Sequence, residues 1–335
     1  MRFLRWKSTE FGKDMETEKK SREPTPVLTK KVLSNMKLFC DVARENGSSV
    51  ALKDLIALTS IDYSEEQLAN SWDNYSELSS KYTIASGLVL ERSSNDIQRL
   101  EREKSNILAR FDRANSNITC ALEFGALLGN GAFTFKVLSI SGSTSYLSVS
   151  ETDDLDFFCI AKSGTMWISF VRSLILARAF RLVRKDSPWI CLSYVSDDKF
   201  VRDEFLRNQN GLFARDALST RIVHGEKYFV DLLSENSWMA LYFPKLYFLR
   251  IKKKTRESHT KPQSASSFEK VVNLFLYYTA GSYVRLKSSM LNRKFARDRK
   301  LSSIFNLRIG VNHCIYESAD YVRLRRLYSS LRRKN

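Results

Sequence analysis

The chain has 335 residues, 43% hydrophobic and 27% charged, with a formal net charge of +17. That balance excludes a disordered or low-complexity polymer, supports a sizeable core, and at this length suggests two or three domains. No apolar run reaches the ~20 residues of a membrane span, since the longest candidate, 166–180, is interrupted by Arg172 and Arg178.

Residues 1–27 are polar and charged, carry Pro24 and Pro26, and read as a flexible arm with no secretory signal. From Leu28, the spacing of Val32, Met36, Phe39, Cys40 and Ala43 predicts a helix that Gly47 ends. A short helix is expected over 52–58. Ser64-Glu65-Glu66-Gln67 has the form of a capping box opening a third helix, which turns Leu68, Trp72, Tyr75 and Leu78 toward a core. Two short strands meeting near Ser86-Gly87 follow. Three helices and a hairpin make 28–94 a winged-helix-like domain. The acidic exposed positions Glu65, Glu66, Asp73 and Glu77 make its third helix a poor partner for DNA phosphates.

Ile97, Leu100, Ile107, Leu108 and Phe111 place one or two helices over 95–128, leading to an apolar strand at 135–140. That strand ends in Gly142-Ser143. Ten residues later, Asp154-Leu155-Asp156 opens a second apolar strand. Strand residues alternate faces, so Asp154 and Asp156 share one face while Leu155 enters the core, and Asp153 reads as a turn residue. Two carboxylates side by side repel each other unless a divalent cation bridges them. A Gly-Ser corner gives close backbone approach, a free N–H and a hydroxyl, all suited to phosphate oxygens.

This pattern resembles the nucleotidyltransferase superfamily that includes DNA polymerase beta: an apolar strand, Gly-Ser, about ten residues, then Asp-x-Asp. The stretches "GTMWISFVRSLILARAFRLV", "WICLSYVSDD" and "RDALSTRIVHGEKYFVDLLSENSWMALYFP" are similar to the downstream half of uncharacterised bacterial and archaeal nucleotidyltransferases with a winged-helix-like region in front. The resemblance spans roughly 32–330 and is strongest over 135–245. It implies an α+β, polymerase-beta-like mixed sheet over 95–245, followed by a basic, mainly helical region over 246–335. It also implies that Asp154 and Asp156 are catalytic and bind Mg2+ or Mn2+, while Gly142 and Ser143 hold the phosphates of a nucleoside triphosphate. The implied activity moves a nucleoside monophosphate to a nucleic-acid or protein acceptor.

Two positions depart from that pattern. Relatives often have glycine four residues after the motif serine, where this chain has Leu147. Active members usually add a third carboxylate from a later strand. The candidate strand, 190–195, offers Cys191 and Ser193 or Leu192 and Tyr194, and Asp197 and Asp198 lie beyond its end. These departures define the alternative: a non-catalytic nucleic-acid-binding or regulatory protein on an inactive nucleotidyltransferase scaffold.

Other polar candidates are weaker. Lys162 and Arg172 follow the site strand and could approach phosphates. His224, His259 and His313 lack partners at a recognisable spacing, and Trp238, Tyr242, Phe243, Tyr247 and Phe248 have the spacing of core residues. The five cysteines show no metal-ligand spacing and read as free thiols of a cytoplasmic protein. Residues 245–335 hold 22 basic and 5 acidic side chains, a balance of +17, whereas 1–244 balance to zero. All the net charge thus lies in the last quarter of the chain, which points to nucleic acid as a partner of that region. The stretch 284–334 reads as basic helix broken at Gly310.

Overall fold

The structure is a computed structural model and describes residues 28–45, 49–56, 63–92, 97–129, 135–151, 153–252, 265–298 and 304–334. In chain order, the N-terminal part contains α1 (Lys30–Glu45), β1 (Val50–Ala51), α2 (Leu52–Ile56), α3 (Glu65–Ser71), α4 (Ser76–Ser79), β2 (Tyr82–Ala85) and β3 (Leu88–Glu91). The long α5 (Ile97–Gly129) leads to β4 (Val137–Ile140), the one-turn α6 (Gly142–Ser145), β5 (Leu155–Ala161), α7 (Met166–Val183) and β6 (Ile190–Asp197). Next come α8 (Asp198–Arg207), α9 (Gly211–Ser219), β7 (Arg221–His224), α10 (Glu226–Ser234) and α11 (Pro244–Ile251). The chain closes with α12 (Ser267–Arg297), β8 (Phe305–Gly310), β9 (His313–Ser318) and α13 (Ala319–Lys334). The protein is α+β, with a mixed six-stranded sheet in the order β7-β4-β5-β6-β9-β8 and a smaller antiparallel sheet in the order β1-β3-β2.

In the N-terminal part, Ser64 accepts from the Gln67 N–H and the Gln67 side chain accepts from the Ser64 N–H, completing the capping box. The third helix is not continuous, however. It breaks into α3, a 3-10 turn over Trp72–Asn74, and α4, which turns Leu68, Trp72, Tyr75 and Leu78 inward. Ser86 (φ 51°) and Gly87 (φ 75°) form the left-handed two-residue turn that matches strand twist in a hairpin. The carboxylate of Asp41, 5% exposed, accepts from Lys81 at 2.6 Å and Tyr82 at 2.5 Å. Burial alone would raise its pKa, but these donors reverse that and lower it. The expected stop at Gly47 lies outside the described residues.

Alternation along β5 sends its side chains to two separate cores. Leu155, Phe157, Cys159 and Ala161 face α5, α7 and α12. Phe158 and Ile160 face α8 to α11, in a cluster that continues through Met36, Leu52, Leu68 and Trp72 of the N-terminal part. The smaller sheet's layer and the main sheet therefore share apolar packing. Buried Phe243 and Tyr247, with partly buried Trp238 and Tyr242, belong to that same core, whereas Phe248 is exposed.

The expectation of basic helix over 284–334 holds over 284–297 and 319–334 and is corrected between them. Residues 305–310 and 313–318 form a hairpin, and β9 pairs antiparallel with β6, so the hairpin completes the central sheet. Its signal was the period of two in Phe305, Leu307 and Ile309, which basic residues on both sides masked. Fully buried Trp167 joins these parts: its N–H donates to Asn273 of α12 at 2.7 Å and its indole donates to the Gly310 carbonyl at 3.0 Å. Arg308 also makes a bidentate pair with buried Glu204 of α8, at 2.7 and 3.0 Å. No helix among the described residues is long and apolar enough to cross a membrane.

Candidate functional site

β4 and β5 run antiparallel, with Ile140 opposite Phe157, and the Ser141 N–H continues the ladder to the Asp156 carbonyl at 2.9 Å. The pairing brings the corner after β4 onto the first residues of β5. Gly142 adopts φ +61° directly over the Asp156 side chain, where an added Cβ would lie 2.5 Å from Oδ2. Both the dihedral and the space demand glycine. Asp154 and Asp156 lie on one face, Asp154 exposed and Asp156 half-buried, while Leu155 between them is fully buried. Asp153 turns back into its own loop, accepting from the Ser150 N–H at 2.9 Å and from the Ser150 hydroxyl. The structure thus brings together Gly142, Asp154 and Asp156, with Ser143 one residue further along the corner. The Ser143 hydroxyl has no hydrogen-bond partner among the described residues.

The corner is a closed loop. The Leu147 N–H bonds the Thr144 carbonyl at 3.2 Å, the Ser148 N–H bonds the Ser143 carbonyl at 3.0 Å, and the Ser145 hydroxyl donates to the Gly142 carbonyl at 2.8 Å. Remote side chains support it from outside. Arg221 of β7 donates to the Ser145 carbonyl at 3.2 Å, and Arg113 of α5 donates to the Val149 carbonyl at 3.0 Å. Tyr146 donates its hydroxyl to Asp216, and Arg215 lies 4.8 Å from the Tyr146 ring centre. These supports are single residues on distant elements, and no spacing in the sequence marked them.

Leu147 has φ +58°, a left-handed backbone that favours glycine, despite its bulky side chain. A non-glycine residue there costs about 1 kcal/mol. Leu147→Gly is therefore expected to be more stable than Leu147→Ala by about 1 kcal/mol, reversing the usual ranking. Urea unfolding midpoints of the two variants test this, and equal midpoints would show that the backbone relaxes out of the left-handed region.

Burial, and then the neighbouring Asp154 charge, push the Asp156 carboxyl up to about 7, only partly offset by hydrogen bonding from Cys191 and Ser193. Asp154 is raised by burial and by Asp153, while Arg181 opposes the shift. Arg181 lies at the end of α7, its guanidinium stacked 3.3 Å from the ring centre of exposed Trp189. The Trp189 carbonyl accepts from the Leu155 N–H at 2.7 Å, which places this pair beside the two acids.

β6 runs parallel to β5, with Cys191 opposite Asp156, and Cys191 and Ser193 are the side chains that face the acid. Burial and the two carboxylates raise the Cys191 thiol well above its ordinary value, so it acts as a neutral donor and not as a thiolate ligand. β6 does run longer than expected, to Asp197, but away from the acid pair. Six residues of strand put Asp197 about 20 Å from Cys191. There Asp197 caps α8 through the Phe200 N–H at 2.8 Å, and Asp198 accepts from Lys136 and Ser163. Neither supplies a third acid.

Other candidates also fall away from the site. Lys162 is at the far end of β5, 3.7 Å from Glu269, and Arg172 donates to the Leu128 carbonyl at 3.2 Å. His313 stacks on Phe200 with ring centres 4.1 Å apart, His224 is exposed at the end of β7, and His259 lies outside the described residues. Cys40, Cys120, Cys159 and Cys314 are buried free thiols, whereas Cys191 is half-buried.

The donor set can be tested against a divalent cation. Among the described residues, no three His, Cys, Asp or Glu side chains converge as a complete protein cage. Mg2+ does not require one: it commonly takes one or two carboxylates and completes its shell with phosphate oxygens and water. Two adjacent carboxylates, one driven toward neutrality by burial and then by its partner, fit a cation that arrives with a phosphate. Comparison of the chain with protein-family models, with curated proteins and with solved structures finds no match.

Proposed function

We propose that the chain is a metal-dependent nucleotidyltransferase with a polymerase-beta-like catalytic sheet, moving a nucleoside monophosphate from a triphosphate to an acceptor hydroxyl. The observation that carries this reading is the left-handed Gly142 seated on Asp156, with Asp154 on the same face. A surface Asp pair beside an unrelated turn has no need of that contact. The N-terminal element order, with β1 pairing β3 beside α1, α2 and the broken third helix, supports the winged-helix reading.

Asp154 and Asp156 hold Mg2+ or Mn2+, and the Gly142-Ser143 corner holds the triphosphate through its backbone and the free Ser143 hydroxyl. When bound, the cation neutralises charge on the phosphate under attack. The chain's own residues position the reactants. The Ser141 N–H bond to the Asp156 carbonyl keeps the corner beside the carboxylates, Arg221 and Arg113 fix the loop, and Arg181 adds positive charge near Asp154. The basic charge of 245–335 favours a nucleic-acid acceptor. Glu204 and Glu317 occupy Arg308 and Arg325, while Lys287, Lys294 and Arg326 have no ion-pair partner among the described residues.

One observation favours a second reading, a nucleotide-binding regulator without transferase activity: Cys191 and Ser193 occupy the side of β6 that faces Asp156. Incubation with labelled nucleoside triphosphates, Mg2+ or Mn2+, and RNA, DNA or protein acceptors separates the two. Label transfer abolished by Asp154→Ala supports the enzyme. Metal-dependent triphosphate binding with no transfer to any acceptor supports the regulator.

Proton linkage gives a further expectation. Asp156 titrates near 7 and must ionise to hold the cation. Metal-dependent triphosphate binding therefore strengthens as pH rises toward 7 and levels off above it, with proton release measurable by calorimetry in two buffers. Binding independent of pH between 5 and 8 would remove Asp156 from the metal shell.

A further inference from the structure

We infer that the open edge of β8 and the facing side of α12 form a groove that takes an extended, acidic peptide segment of a partner protein as an added strand. This goes beyond the nucleotide reading, since β8 lies three strand spacings from β5, about 14 Å.

Register shows which main-chain groups are open. Gly310 pairs with His313 across a two-residue loop, and Phe305 pairs with Ser318 at the other end. The Phe305 N–H donates to Asn292 Oδ1 at 3.1 Å, and its carbonyl accepts from Asn292 Nδ2 at 2.7 Å. Both groups of Phe305 thus point away from β9, and the antiparallel alternation gives Leu307 and Ile309 the same outward direction. Among the described residues, nothing pairs with those outward groups. The Asn292 amide, one donor and one acceptor, does for Phe305 what a peptide unit of a neighbouring strand would do. Among the described residues, no group occupies the next two positions of that missing strand.

Beyond Asn292 lies a cavity of about 610 Å³ lined by Arg285, Ser288, Arg293, Leu307 and Ile309. Neither arginine meets a carboxylate among the described residues, and Arg285 reaches only the Tyr277 hydroxyl at 2.8 Å. A bare edge strand is a site for strand addition, in which main-chain bonds supply affinity and flanking side chains supply selectivity. Charge selects the occupant. A second copy would bring another strongly basic surface into the groove. Nucleic acid offers phosphates to the arginines but has no alternating N–H and C=O groups for the edge. An acidic peptide satisfies both.

The test uses the full-length protein and a fluorescein-labelled peptide of alternating glutamate and valine, read by anisotropy. Saturable binding is expected, and N-methylation of alternate residues, made in both phases, weakens it about thirtyfold in one phase through loss of two main-chain bonds. Arg293→Glu weakens it about tenfold. Leu307→Pro removes an outward N–H without touching the β9 ladder and abolishes binding. Arg293→Glu, at an exposed helix position, keeps the test valid if the proline variant unfolds. Equal affinity for a lysine–valine peptide, or for the peptides methylated in both phases, would overturn the inference. So would displacement of the peptide by a single-stranded oligonucleotide at lower concentration than by unlabelled peptide, or a protein dimer that Leu307→Pro dissociates.

Discussion

Asp156→Asn is expected to lose nucleotide transfer and metal-dependent triphosphate binding by at least about a hundredfold while gaining stability above pH 7. Both effects share one cause. In the folded chain the carboxyl is held up to about 7 by burial and by Asp154, against an ordinary value of 3.8. Between those limits the native state binds the proton that the unfolded state has released, so the Asp156 contribution to stability falls as pH rises from about 4 to about 7. Above 7 the native state carries the full cost of a desolvated Asp156 carboxylate beside the Asp154 charge. Asparagine keeps the shape and removes the charge, so the variant's advantage grows across that window and then stays constant. Asp154→Ala is expected to lose activity similarly, with a smaller gain in stability because Asp154 is opposed by Arg181. Denaturant titrations at pH 5 and pH 8 with parallel transfer assays check this. An Asp156→Asn protein that is less stable at pH 8 than the parent would mean that the carboxylate is paired in the native state.

Gly142→Ala is expected to be the most damaging single methyl in the site. The residue sits at φ +61°, and the new Cβ would meet Asp156 Oδ2 at 2.5 Å. The left-handed backbone costs about 1–2 kcal/mol for any other residue, and displacing the carboxylate adds to it. Triphosphate binding should fall with it, because the displaced group is one of the two acids. Gly164→Ala provides the control. It has φ +79° and a tight but less severe neighbour in Lys270 Cγ at 3.2 Å, and lies at the opposite end of β5. That variant should lose stability and keep binding. Equal loss of binding in both variants would show that Gly142 matters only to folding.

The site was legible because its signal is local. Gly142, Ser143, Asp154 and Asp156 lie within fifteen residues of each other, and strand alternation fixes which side chains share a face. The capping box at Ser64 and the turn at Ser86-Gly87 were readable for the same reason: each is specified by neighbours in the chain. What escaped the sequence depends on tertiary pairing. The direction of β6 decides that Asp197 and Asp198 point away from the acids, and no residue within 190–198 encodes that a parallel neighbour lies beside it. The hairpin 305–318 was hidden because Asn306 and Arg308 alternate with its apolar residues, and Arg308 is recruited by Glu204 a hundred residues earlier. Leu147 shows another limit: nothing about a leucine at that place announces the left-handed backbone that the closed loop gives it.

The central claim is that two acids and the Gly142 corner grip a metal-bound triphosphate. Isothermal titration of each nucleoside triphosphate into the protein, with Mg2+, with Mn2+ and with chelator, tests it most directly. The account predicts binding to the parent that requires the divalent ion and is lost in Asp154→Ala and Asp156→Asn, with both variants folded by circular dichroism. Triphosphate binding of equal strength in chelator, or undiminished in both variants, would contradict it.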